Sequence, residues 1–172
     1  RKIMFEHDMK NIRTVPRTSS MNGTCERVIQ TITNLATSFL ANAKFTASEW
    51  QLCFSKAFKH AAEIYNCTPH RALSWDTPYF RFSGVVPHLN WFRTWGSTVM
   101  EYMSRNQMLG KRARRFRIGI MLGQKVQTGQ RKPTLEVYIP YLRNSFWRSS
   151  YVNDETMGHV ESRWKNLGKG QK

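Results

Sequence analysis

The amino-acid sequence predicts an α+β fold, with helices in its first half and a small antiparallel β-barrel in its second half. In the first half, apolar residues recur at intervals of three and four, which is the period of an amphipathic helix. In the second half, apolar and polar residues alternate over short stretches between glycine-rich and basic turns, which is typical of strands. The change of period divides the chain into a helical module and a β module.

The helical module contains two predicted helices after one short predicted strand at residues 9–15, which Pro16 stops. The first helix runs onward from Thr24, and its apolar stripe comprises Val28, Ile32, Leu35, Ala36 and Phe39. The second begins at a capping-box pattern, Thr46 to Glu49. Its stripe comprises Trp50, Phe54, Ala57, Ala61, Ile64 and Tyr65. The prolines at positions 69 and 78 indicate where this helix has ended.

A turn-rich linker, FSGVVPHLN at residues 82–90, leads into the β module. Four stretches there are strand candidates: STVMEYM, RFRIGIML, TLEVYIP and SFWRSSYV. Short strands with glycine-rich and basic turns favour a small antiparallel barrel. The polar, basic tail from Gly158 is expected to be disordered.

The formal net charge of +16 indicates a polyanionic partner, and nucleic acid is the usual one. The excess is uneven, because residues 1–74 carry a net +5 and residues 75–172 a net +11. The second half is therefore the expected binding surface.

The run between Glu101 and Glu136 contains nine Lys/Arg and no Asp/Glu. The predicted nucleic-acid-binding residues are Arg105, Lys111, Arg112, Arg114, Arg115, Arg117, Lys125, Arg131 and Lys132. Flexible cations beside the aromatic residues Phe116, Tyr138 and Trp147 suit phosphate contacts and occasional base stacking. The alternative is a solvated run of charge, and the pattern indicates no base-specific recognition.

Several classes of protein are disfavoured by what the sequence lacks. It has no run of 18 apolar residues, so no membrane span is expected, and no apolar stretch of signal-peptide type at its start. Its three cysteines form no Cys-x-x-Cys pair, and no His/Cys cluster has zinc spacing. The sequence predicts an intracellular protein, nuclear or cytoplasmic, without structural zinc.

The stretch from Asn22 to Arg27, NGTCER, is followed by an amphipathic helix and resembles the Asn-Gly-x-x-Glu-Arg motif of integrases from copia-type LTR retrotransposons. Other residues resemble family motifs in the same order. They are Thr14, Pro16, Thr18, Trp50, Ala57, Asn66, Pro69, Thr77-Pro78-Tyr79, Gly84, Pro87, Phe92-Arg93, Trp95-Gly96, the MLGQ stretch and the YVNDE stretch. The resemblance runs from about residue 8 to residue 155.

This resemblance implies a more specific fold and domain organisation. Residues 1–74 are expected to be the C-terminal helical part of an RNase H-like α/β integrase core, and residues 75–90 a linker. Residues 91–155 are expected to form a small SH3-like β-barrel of the retroviral-polymerase type, and residues 156–172 a basic disordered tail.

The resemblance also implies that Glu26 is the third acid of a site in which two Asp and one Glu hold Mg²⁺ for DNA strand transfer. The nearest Asp of the family precedes that Glu by more residues than this chain has before it, and Asp8 and Glu6 are too close to Glu26. The chain is therefore expected to be an integrase fragment that needs Mg²⁺ only in the complete parent enzyme. It would keep DNA binding and lack catalysis.

Alternatives remain open for Glu26 and for the whole chain. An acid in the first turn of a helix is stabilised by the helix dipole, by about 0.3–1 kcal/mol, without any chemistry. The chain could instead be a domesticated, non-enzymatic DNA- or protein-binding module, or a decayed remnant of an element. The expected partners are DNA and either a second copy or an upstream integrase segment, with no membrane.

Overall fold

The computed structural model describes residues 22–43, 45, 47–103, 115–125 and 132–155. In this part of the chain, three α-helices precede a five-stranded antiparallel sheet, which confirms the α+β class. The chain divides into two units, residues 1–31 and 32–172, and the boundary falls inside the first helix. The described residues of the first unit are the opening turns of that helix.

Two long helices form where the apolar periodicity predicts them, α1 at Gly23–Asn42 and α2 at Ala47–Cys67. In α1 the buried residues are Ile32, Ala36 and Leu40, which follow one another at four-residue intervals and so lie on one face. In α2 the buried residues are mostly small, which lets that helix lie close to the sheet. They are Cys53, Ala57, His60 and Ala61.

A third helix, α3 at Pro78–Ser83, lies inside the predicted linker. Thr77 caps it, because its Oγ1 accepts a hydrogen bond from the Phe80 amide at 3.1 Å, and Pro78 occupies its first position. Gly84 ends it with a φ of 71°. Short 3₁₀ turns at Arg71–Leu73 and Leu89–Trp91 flank this helix.

The five strands form one antiparallel sheet in the order β4-β3-β2-β1-β5. Their bounds are Thr98–Tyr102 for β1, Phe116–Lys125 for β2, Thr134–Ile139 for β3, Asn144–Arg148 for β4 and Tyr151–Asp154 for β5. The central strand β2 pairs with β1 through its first half and with β3 mainly through its second half. A bulge between Met121 and Gly123 bends it between the two.

The sheet is strongly curled, because its two edge strands are joined by Ser149 and Ser150 alone. The three chain steps from Arg148 to Tyr151 span at most about 11 Å, whereas the edges of a flat five-stranded sheet lie about 19 Å apart. A side-chain contact agrees with the curl, since Arg148 of β4 reaches Glu101 of β1. The barrel expected from the sequence is thus an open, curled sheet.

The core of the second unit lies where the two long helices pack on the curled sheet, with α2 against β2. Trp95, just before β1, connects them. Its ring centroid lies 6.2 Å from that of Phe39 and 5.5 Å from that of Phe45, and its indole Nε1 donates to the Leu122 carbonyl at 2.9 Å. These aromatic contacts fix the start of β1 against the helices.

Two differences from the predicted elements stand out. The candidate strand SFWRSSYV is two strands, β4 and β5, because the chain leaves one edge of the sheet and joins the other within it. The predicted strand at residues 9–15 and the predicted tail at residues 156–172 lie outside the described residues. The domain boundaries expected from the resemblance remain a prediction. In the described part of the chain, no helix is long and apolar enough to cross a membrane.

Candidate nucleic-acid interface

Glu26 lies in the first turn of α1, and its side chain is exposed. The neighbouring Cys25 is exposed as well. Within the described ranges, no group of three or more His, Cys, Asp or Glu residues is close enough together to hold a metal ion, and Asp8 and Glu6 lie outside those ranges. One carboxylate does not make a two-metal site, so these residues do not fit a pair of Mg²⁺ ions and no catalytic step is derived from them.

The predicted basic surface is described in part. Five of its nine residues lie outside the described ranges, namely Arg105, Lys111, Arg112, Arg114 and Arg131. Arg115 directly precedes β2, and its side chain is exposed beside Phe116, of which 39% is exposed. Arg117, Lys125 and Lys132 lie on or beside the strands of the curled sheet.

Lys125 and Lys132 both lie over aromatic rings. The Nζ of Lys125 is 4.1 Å from the ring centroid of Trp147, and the Nζ of Lys132 is 4.7 Å from that of Tyr151. Both lysines are exposed, and Lys125 pairs with Thr134 across the β2–β3 hairpin. Lys132 precedes Thr134 by two residues, so the two ammonium groups belong to the same end of that hairpin. A cation held over a ring keeps N–H donors for a phosphate.

Arg117 has a different environment from these lysines. Its Nε and Nη2 donate to the two carboxylate oxygens of Glu101 at 3.1 and 3.0 Å, and its side chain is 15% exposed. Arg148 also donates to Glu101, which is 2% exposed. The buried carboxylate of Glu101 therefore pairs with two guanidinium groups, one from β2 and one from β4. Arg117 thereby contributes to the stability of the sheet.

The other acid that borders the acid-free run, Glu136, is also buried and paired. Its Oε1 accepts hydrogen bonds from Lys56 Nζ and Ser145 Oγ, each at 2.7 Å. Lys56 belongs to α2, so this contact ties the helix to β3. In the sequence, Glu101 and Glu136 only mark the two ends of the basic run. Strand alternation alone does not reveal their buried partners, which are distant in sequence.

His60 is a buried histidine on α2. It is 2% exposed, its ring packs edge-on to Phe39 and Phe92, and its Nδ1 has no hydrogen-bond partner in the described part of the chain. Burial lowers the pKa of His60 from 6.5 to about 4. Charged groups lining the small cavity beside it are Lys56, Lys59, Glu63 and Glu136.

The lowered pKa of His60 predicts a loss of stability on acidification. Below pH 6.5 the unfolded chain protonates this histidine while the folded chain does not, so the free energy of unfolding should fall by about 2 kcal/mol between pH 7 and pH 5. Urea unfolding across that range measures the fall. A His60→Leu variant keeps all other titrating groups, and its fall should be smaller by that amount. Equal pH dependence in both proteins would show that His60 is not responsible.

Comparisons with known proteins leave the family open. No protein-family model matches the chain, and no solved structure matches it. The integrase resemblance of the residues around Glu26 therefore remains a prediction based on motifs.

Proposed function

We propose that this chain binds DNA through its curled sheet, as the C-terminal part of a copia-type integrase. The observation that carries the proposal is the pair of exposed lysines held over Trp147 and Tyr151 at one end of the β2–β3 hairpin. Residues 75–172 carry a net charge of +11, which supplies a positive electrostatic field around these lysines. Such a field attracts a polyanion over long distances, and the fixed cations provide the short-range phosphate contacts.

The second support is the placement of cations at both ends of β2. Arg115 directly precedes that strand and Lys125 closes it. The ten residue steps between them span at most about 34 Å, and the bulge in β2 shortens that span. Contacts at the two ends can therefore reach different phosphates of one nucleic acid. Such contacts position a duplex without reading its sequence.

The topology supports an SH3-like assignment for the β module. An open, curled five-stranded antiparallel sheet with consecutive edge strands and a bent central strand is compatible with a small SH3-like barrel. The Trp95-Gly96 pair, which the resemblance expects to open that module, is separated from the start of β1 by one residue. The proposal assigns the two long helices to the end of an RNase H-like core, in keeping with the resemblance. A nuclear or cytoplasmic location accompanies this proposal.

Strand transfer is not part of the proposed activity, because Glu26 by itself offers too few ligands for the metal chemistry. The second candidate function is a non-enzymatic module that binds a protein. It is favoured by large apolar side chains exposed around α3, with Phe82 96%, Val86 69% and Leu89 59% exposed. DNA binding with a strong salt dependence separates the two candidates.

The DNA-binding proposal predicts a specific change in salt dependence. Each lost phosphate contact should reduce the slope of log affinity against log salt by about 0.9, so Lys125→Ala with Lys132→Ala should reduce it by about 2. Fluorescence anisotropy with one labelled duplex at several salt concentrations measures the slope.

The matched control removes the same charge from the helical half. Arg27 and Arg71 are both exposed, and the double replacement Arg27→Ala with Arg71→Ala should leave the slope unchanged. A flat salt dependence in the unaltered protein would refute DNA binding. Equal slopes for the two double variants would show that the hairpin lysines do not contact phosphate.

A further inference from the structure

A groove of about 430 Å³ lies between the end of α2, the segment that follows α3, and the end of β2. This volume is within the range of about 300–1,000 Å³ for small-molecule sites. Of the proposed phosphate contacts, Lys125 alone lines this groove among the described residues. Its lining combines aromatic, amide and charged side chains.

The walls of the groove are aromatic and apolar. Trp91 is half-buried and packs against His88, with ring centroids 4.7 Å apart and ring planes 38° from parallel. Tyr79 and Val86 line the groove as well and are 44% and 69% exposed. A flat aromatic ring entering here would therefore meet π faces and apolar groups, which favours stacking.

The groove also holds polar groups that can form hydrogen bonds with such a ring. Asn66, Gln124 and the carboxyl of Glu63 all line it. The Gln124 Oε1 accepts a hydrogen bond from the Arg93 amide at 3.0 Å, which fixes the side-chain amide in one orientation. Amide and carboxyl groups of this kind recognise the edges of bases.

Lys125 links the groove to the candidate nucleic-acid interface. It lines the groove and at the same time lies over Trp147, so the strand end with the proposed phosphate contact borders the aromatic walls. A nucleotide whose phosphate contacts Lys125 has its base within reach of the groove. A second copy of this chain is a poorer occupant, since two molecules with a net charge of +16 repel each other.

We propose that the groove binds one unstacked base of single-stranded nucleic acid, with Trp91 as the stacking surface. The inference rests on the proposed nucleic-acid binding and adds a preference for strands whose bases are exposed. Stacking of a base on an aromatic side chain tolerates any sequence, because every base has a π face. The amides of Asn66 and Gln124 would supply at most a modest base preference.

The test compares two single strands with the same phosphates, one with ordinary bases and one in which every base is replaced by an abasic site. Anisotropy should show that the full chain binds the strand with bases about 10-fold more tightly. The Trp91→Ala variant should lose most of this ratio, and Trp91→Phe should keep most of it. The control is Trp75→Ala, since Trp75 is 70% exposed and is not among the residues that line the groove.

A second pair of variants tests the groove without changing a packed ring. Val86→Asp places a carboxylate at the groove, whereas Leu89→Asp adds the same charge at an exposed neighbour outside its lining. Only Val86→Asp should abolish the preference for bases.

Equal affinity of the unaltered chain for both strands, with duplex binding intact, would overturn the base site alone. Absence of binding to any nucleic acid would overturn the proposed function and this site together. Self-association that Trp91→Ala abolishes, without any preference for bases, would assign the groove to a second copy.

Discussion

Replacing Glu101 with glutamine is expected to lower the free energy of unfolding by about 3–4 kcal/mol, because it removes a buried carboxylate and leaves two partly buried guanidinium groups without their counter-charge. Glu101 is 2% exposed, and its two partners Arg117 and Arg148 have side chains that are 15% and 26% exposed. Glutamine keeps the shape of the side chain and removes only the charge. The loss therefore reports on the ion cluster and not on a cavity. Urea unfolding followed by circular dichroism measures it.

The matched control is an exposed ion pair of the same type. The Nε of Arg81 lies 2.9 Å from the Oδ2 of Asp76, and the two side chains are 54% and 39% exposed. Solvent therefore screens their attraction. Asp76→Asn should therefore cost less than about 1 kcal/mol. If Glu101→Gln costs no more than this, the cluster does not hold the curl of the sheet.

The same cluster bears on the DNA-binding proposal. Arg117 was predicted to contact nucleic acid, yet both of its bonded nitrogens donate to Glu101. Arg117→Gln should therefore lower stability more than it changes the salt slope. Lys125→Ala should do the reverse, since Lys125 is exposed and its cation–π contact is worth only about 0.5–1 kcal/mol at such a site. These opposite patterns separate structural cations from binding cations within one strand.

The sequence predicts the helices and the strands of this fold well because their periods are local properties. The stripe that contains Ile32 and Ala36 marks the buried face of α1, and the alternation around Ile120 marks β2. Periodicity is less informative about α2. There Phe54 was expected in the core and is 38% exposed, while Cys53 and His60 are buried. A helix that packs closely on a sheet buries its small residues, and the larger ones are displaced to the rim.

Long-range partners account for what the sequence could not predict about the candidate site. The contact of Arg148 with Glu101 joins residues 47 positions apart, and that of Lys56 with Glu136 joins residues 80 positions apart. Both depend on the curl of the sheet or the docking of α2, which no local pattern encodes. The sequence could therefore identify a basic run, and it could not separate Arg117, which is paired inside the sheet, from Lys125, which is exposed.

The second large effect is expected at Gly96, which has a φ of 76° and lies two residues before the start of β1. A Cβ added there would lie 2.5 Å from the Cβ of Ala43, at the end of α1. Alanine at this position should therefore incur both a left-handed backbone cost of about 1–2 kcal/mol and an overpacking cost of about 1–3 kcal/mol. Gly96→Ala should lower the free energy of unfolding by about 2–5 kcal/mol in total.

Gly84 separates these two costs. Its φ is 71°, and a Cβ added there would meet nothing within 4 Å, so Gly84→Ala should show the backbone cost of about 1–2 kcal/mol alone.

Combining Gly96→Ala with Ala43→Gly removes the clashing Cβ, and it should restore stability to near the Gly84→Ala level. Absence of rescue would mean that Ala43 is not the obstacle. Rescue would show that Gly96 is required because α1 and β1 approach here more closely than any side chain allows. That close approach is what brings Trp95 between Phe39 and Phe45 and fixes the first strand of the sheet against the helices.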